Sequence, residues 1–144
     1  MRIAGAAFAG IAIILPAAAD TDVKVLSVQG ICTELRIGTR NFACDRLVTI
    51  YTTHSRRTAF ELETSVGSIS FAGGRSMQLG ADTYLLFVET VTVHGKDRPA
   101  TGECNATLGR DSRSVRFLTC DAKYDGVQIS VRFRSVGKSS KGAL

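Results

Sequence analysis

Around Asp125-Gly126 the chain alternates apolar and polar residues on both sides of a two-residue turn signal, and no other stretch constrains the fold as much. Asp-Gly suits the positive φ angles of a type I′ turn, whose twist matches that of the strands it joins. A hairpin centred there pairs Tyr124 with Val127, Ala122 with Ile129, Cys120 with Val131 and Leu118 with Phe133. Side chains alternate with a period of two along a strand, so these residues share one face, and that face must turn to a core. The opposite face carries Thr119, Asp121, Lys123, Gln128, Ser130, Arg132 and Arg134, with Asp121 within diagonal reach of Arg132.

The same chemistry recurs along the chain. Short runs of Val, Ile, Thr and Phe are separated by Gly, Asn, Asp and Ser; glycine is frequent (14) and proline scarce (2). This predicts strands near 22–28, 31–37, 46–53, 57–64, 68–72, 84–94, 101–108, 115–124 and 127–134, hence an all-β fold. The expected architecture is a small antiparallel barrel or sandwich of about eight to nine strands. Phe60 and Leu62 alternate with Glu61 and Glu63, and Ile69 and Phe71 with Ser68 and Ser70, which reads as a second hairpin around Ser65-Val66-Gly67. From Gly73-Gly74 a loop is expected to run to about Thr83; its length makes it a candidate for function.

One strand breaks the alternation. Tyr84 to Val88 is apolar on both faces, and the phase switches near Glu89. A β-bulge at Glu89-Thr90 would place Leu86, Val88, Val91 and Val93 together on the core side. The alternative buries Glu89 in a strand covered on both sides, where its pKa would rise and it could act as an acid. The bulge is preferred because it buries no charge.

Residues 1–19 have the form of an export signal. Met1-Arg2 is followed by an apolar run from Ile3 to Leu15, then Pro16 and the small residues Ala17-Ala18-Ala19, which form an A-x-A cleavage site. A membrane span needs about 20 apolar residues, and this run stops at Pro16 before Asp20, Asp22 and Lys24. The expected mature chain is therefore one all-β domain, 20–136, with a flexible basic tail, 137–144, and no transmembrane segment after removal of the signal. Cys32, Cys44, Cys104 and Cys120 all lie in this exported part, where an oxidising compartment favours disulfides. Four cysteines allow three connectivities. Cys32–Cys44 and Cys104–Cys120 are preferred, since each pair brackets a turn-like segment and sequential strands tend to be neighbours.

Ala100-Thr101-Gly102-Glu103-Cys104 and the stretch from Cys120 through Asp125-Gly126 to Phe133 resemble short signal-bearing exported proteins of alphaproteobacteria. The resemblance supports export and the second disulfide and implies no activity.

Chemistry in the sequence is sparse. G-x-S-x-G, Walker A, H-E-x-x-H and G-x-G-x-x-G are absent, so no catalytic residues are assigned from motifs. His54 falls in an expected strand-connecting loop and His94 at an expected strand end, and neither stands beside a paired nucleophile. With no C-x-x-C and two histidines, neither a metal nor another cofactor is expected. The net charge is +5, falling to +4 without Arg2. From Arg110 onward eight basic residues face three acidic ones, so an anionic partner would be drawn to that end; a solvated basic surface is the simpler explanation. Arg110, Arg113, Arg132 and Arg134 are the candidate anion-binding residues. Nucleic acid is not the expected partner, because the hairpin register buries Phe133 and denies it to base stacking.

These features lead to an expectation of an exported binding module, periplasmic or secreted, for a macromolecular partner that is a protein or an anionic envelope component. Two other classes stand beside it: an envelope enzyme using carboxylates, and a structural protein contacting anionic lipid or polysaccharide. The exported chain should begin at Asp20, which intact-mass measurement checks; a chain still carrying Ile11 to Leu15 would contradict the signal assignment.

Overall fold

A computed structural model describes residues 23–110 and 114–136. The expected signal segment, the basic tail 137–144 and Arg113 lie outside the described residues. Ten strands follow one another: β1 (Val23–Ile37), β2 (Arg40–Asn41), β3 (Cys44–Thr52), β4 (Arg57–Thr64), β5 (Gly67–Gly73), β6 (Arg75–Gln78), β7 (Thr83–Val93), β8 (Lys96–Leu108), β9 (Val115–Tyr124) and β10 (Val127–Ser135). Eight of them form a closed antiparallel barrel in the order β1-β3-β4-β5-β7-β8-β9-β10, with β10 returning to β1. Between barrel and sandwich, the chain is a barrel. β2 pairs with the end of β1 and β6 with the start of β7, both outside the ring.

The final hairpin has the register set by its turn: Val127 opposes Tyr124, Ile129 opposes Ala122, Val131 opposes Cys120 and Phe133 opposes Leu118. Asp125 and Gly126 both take positive φ, 48° and 75°. Leu118, Cys120, Ala122, Ile129, Val131 and Phe133 are buried, while Arg132 and Arg134 are exposed. The second hairpin also forms as expected, with Phe60 opposite Phe71 and Leu62 opposite Ile69. β8, β9 and β10 are a meander, and Cys104 lies directly opposite Cys120.

Both disulfides are present, Cys32–Cys44 with a Cα separation of 5.1 Å and Cys104–Cys120 with 4.1 Å. They fit an oxidising compartment.

The main departure from the strand expectations is β1. Two expected strands, 22–28 and 31–37, are one fifteen-residue strand that continues through Gly30. Its first half pairs with β3, from Val23 with Thr52 to Gln29 with Arg46; its second half pairs with β10, from Gly30 with Ser135 to Ile37 with Ile129. A register shift between Cys32 and Glu34 adds Thr33 as an extra residue. The inward set thereby changes phase, from Val28 and Gly30 to Leu35 and Ile37, which is why the pattern looked like two strands. Gly30 is required here by space: a Cβ would collide with the Phe133 ring and the Arg134 carbonyl.

The phase switch in β7 also takes the bulge form. The β7–β8 register shifts between Val88 and Thr90, so that Ala100 and Thr101 of β8 together face Glu89 and the extra residue is carried by β8. Leu86, Val88 and Val91 are buried and Val93 packs against them. The burial alternative for Glu89 is corrected: its carboxylate is exposed, 3.5 Å from Arg57 Nη1.

Inside the ring, Leu35, Leu47, Phe60, Leu62, Phe71, Leu86, Leu118, Ile129 and Val131 form one apolar core. Arg46–Glu63, Arg132–Glu34 and Arg98–Asp125 lie outside as half-exposed pairs 3.4 to 3.7 Å apart, of a kind that contributes little stability. Arg132 thus reaches Glu34 on β1, across the closure, in place of Asp121. An apolar interior beneath a charged outer face is the reverse of a membrane barrel, whose lipid-facing side is apolar. Among the described residues no helix is long and apolar enough to cross a membrane.

Phe133→Ala should cost about 3–5 kcal/mol, as for a fully buried aromatic. Gly30→Val should destabilise as well, because the added side chain occupies the place of the ring. Arg132→Ser with Arg134→Ser should change stability by no more than about 1 kcal/mol. Urea unfolding checks all three; a tolerated Phe133→Ala with a collapsed double arginine variant would mean the hairpin faces are inverted.

Candidate ligand-binding site

Connection lengths make the two ends of the barrel unlike. At one end the strands are joined by two-residue turns, 65–66, 94–95 and 125–126, together with the short excursion through β2. His94 and Gly95 repeat the positive-φ geometry of Asp125-Gly126. At the other end lie the longer connections, 53–56, 79–82 and 109–114, and the start of β1. Backbone hydrogen bonds brace the 79–82 connection and the described ends of the one after β8: Leu79 N to Thr83 O, Leu108 N to Asp82 O and Gly109 N to Ser114 O, each 2.7–2.8 Å. The loop expected from Gly73 to Thr83 is accordingly half strand, since β6 pairs with β7 from Arg75 with Phe87 to Gln78 with Tyr84.

The barrel is open at this second end. The β10–β1 ladder runs to Gly30, with one further bond from Val136 N–H to the Gln29 carbonyl, so among the described residues the first half of β1 has β3 as its one strand neighbour. Between that half-strand and the ends of β8 and β9 lies a cavity of about 330 Å³. Its deep wall is Phe60, Ala106 and Val115, with Leu26 and Leu108 nearer the opening. Hydroxyls of Thr49, Tyr51, Thr58, Ser76 and Tyr84 are set among these carbons, and Lys24 is the one charged residue in the lining.

Local strand chemistry explains the placement. Lys24 and Leu26 share the inward phase of Val28; Thr58 shares that of Phe60 and Leu62. Tyr84, the second residue of β7, meets the Phe60 ring edge-on, with centroids 6.3 Å apart and planes at 82°. Its hydroxyl is 2.7 Å from Thr58 Oγ1, which gives the buried Thr58 a hydrogen-bond partner and fixes the phenol against the wall. No buried side-chain polar atom among the described residues lacks a partner.

Exposed apolar residues gather at the same end: Val23, Val25 and Leu26 on β1, with Met77 and Leu79 on and after β6. Val66 is an exposed apolar residue of the closed end.

The residues singled out from sequence are dispersed. Arg110 is exposed in the connection after β8, at the open end. Arg132 and Arg134 lie on the outer wall beside Phe117 and Thr33, over a shallow depression. Glu89 is also on the outer wall, and His54 and His94 are exposed in turns at opposite ends. The sequence reading did not find the cavity. Its residues come from β1, β3, β4, β6, β7, β8 and β9, and only closure brings them together. The one trace available in advance was the off-pattern Tyr84 and Thr58 at strand starts.

Comparison with family models, with characterised proteins and with solved structures found no match, so the reading of this site rests on its own chemistry.

Proposed function

We propose that the protein is an exported, non-catalytic binding module, periplasmic or secreted, and that it holds one small apolar or amphipathic molecule in the open end of its barrel. The observation that carries this reading is the 330 Å³ cavity, apolar in its depth and fringed with hydroxyls. Eight-stranded barrels have an interior just wide enough to be filled by side chains or to hold one small ligand. A volume of this size lies in the range of small-molecule sites. The lining offers carbon, hydroxyls and one ammonium, a set suited to holding a molecule; Thr58 and Tyr84 already satisfy each other. The expectation from sequence was a macromolecular partner, a protein or an anionic envelope component. Tight turns at one end and a preformed hollow at the other favour a small occupant instead.

Apolar walls gain by exchanging water for carbon at about 25 cal/mol per Å². A saturating ligand then stabilises the fold, by about 2.7 kcal/mol at a hundred times its Kd. Titration calorimetry with 1-decanol should show one saturable site per chain, and thermal melts should rise with decanol concentration. Leu108→Trp, which fills the opening from a half-buried position, should abolish both effects while leaving the unliganded Tm near that of the parent. Absence of saturable binding, or binding indifferent to Leu108→Trp, would overturn the reading.

A further inference from the structure

We propose that the preferred occupant carries a single anionic head on an unbranched alkyl tail, with the head at Lys24 and the tail against Phe60, Ala106 and Val115. This rests on the reading of the open end as a binding site and adds the ligand's class.

Three observations lead to it. First, polarity is stratified along the cavity. The depth presents carbon, because its two best-placed hydroxyls, Thr58 Oγ1 and Tyr84 OH, are engaged with each other at 2.7 Å. That shared bond turns both oxygens toward each other and leaves carbon as the surface that an uncharged tail meets. Second, the described charge around the opening is mostly positive. Lys24 lines the cavity; Arg56, held at φ 52° in the β3–β4 turn, and Arg110 are exposed on connections of the same end. Among the described residues none of the three takes part in an ion pair, whereas Arg98 and Arg46, toward the closed end, pair with Asp125 and Glu63. Asp82 is the acid on the described open-end connections. Cations around a low-dielectric hollow focus their field into it and raise the local concentration of anions. Third, the volume limits the shape. About 330 Å³ lies at the small end of ligand sites, which suits a single unbranched chain over a bulky ring system.

Carboxylate and phosphate heads share this chemistry, so the test uses decanoate and decyl phosphate beside 1-decanol, by calorimetry at 0.15 M salt. There the Debye length of about 8 Å leaves only charges near the opening effective. At least one of the two anions should bind about tenfold more tightly than decanol, and lowering the salt should widen the gap. Lys24→Gln should reduce that anion's affinity about fivefold, a larger factor than for decanol. Adding Arg56→Gln and Arg110→Gln should remove the remaining salt dependence. Lys123→Gln, the same loss of charge on the outer face of β9, should do neither. Circular dichroism melts confirm that each variant is folded. If decanol and both anions bind alike and Lys24→Gln changes nothing, the inference fails and the apolar site stands. If none of the three binds, both fail.

Discussion

The pairing of β1 with β10 turns a meander of strands into a barrel, and the rest of the structure depends on it. Most neighbouring strands in the ring are joined by short connections and form local hairpins. β1 and β10 come from opposite ends of the chain, so their pairing carries the largest loop-closure cost of any contact in the fold. Three features offset that cost. Phe133 places its ring in the space Gly30 leaves free, Cys32–Cys44 ties β1 to the start of β3, and the extra residue at Thr33 re-aims β1 so that Leu35 and Ile37 continue the core. A strand fed from both sides in this way must be long, and fifteen residues is what the chain supplies.

That closure also creates the hollow. Among the described residues the pairing of β1 with β10 stops at Gly30 and the Val136–Gln29 bond, and the part of β1 before that point pairs with β3. Lys24 and Leu26 therefore face the ends of β8 and β9 without a ladder between them, and the gap is the cavity. At the opposite end, hollows of about 330 and 270 Å³ beside the 125–126 and 94–95 turns are lined by Lys96, Arg98, Lys123 and Asp125 and lack an apolar wall like that of Phe60, Ala106 and Val115. The asymmetry of the barrel is thus a matter of where two strands stop.

Short-range chemistry made much of the fold legible in advance. Asp125-Gly126 set the register of the last hairpin and with it the inward Phe133; alternation set the second hairpin; neighbouring strands implied both disulfides; and the broken phase at Glu89 marked a bulge. Long-range geometry was not legible. Gly30 looked like a strand break because glycine usually punctuates strands, and only the Phe133 ring from the far end of the chain explains its place inside one. The run at Arg75 looked like loop because its pairing with β7 extends the line of β5 past two glycines. The basic residues late in the sequence read as one patch, whereas the barrel distributes them: Arg110 at the opening, Arg132 and Arg134 on the outer wall, Lys123 toward the closed end. Lys24, distant from that cluster in sequence, is the cation that reaches the cavity.

If the open end of the barrel is the ligand site, a bound ligand perturbs that end and spares the closed end and the outer wall. Methyl and amide NMR spectra recorded during a decanol titration distinguish these regions. Shifts should be confined to Leu26, Thr58, Tyr84, Ala106, Leu108 and Val115, with the signals of Ile37, Val93 and Ile129 at the closed end unmoved. Shifts centred on Ile31 and Phe117 of the outer wall, or on the closed end, would contradict it.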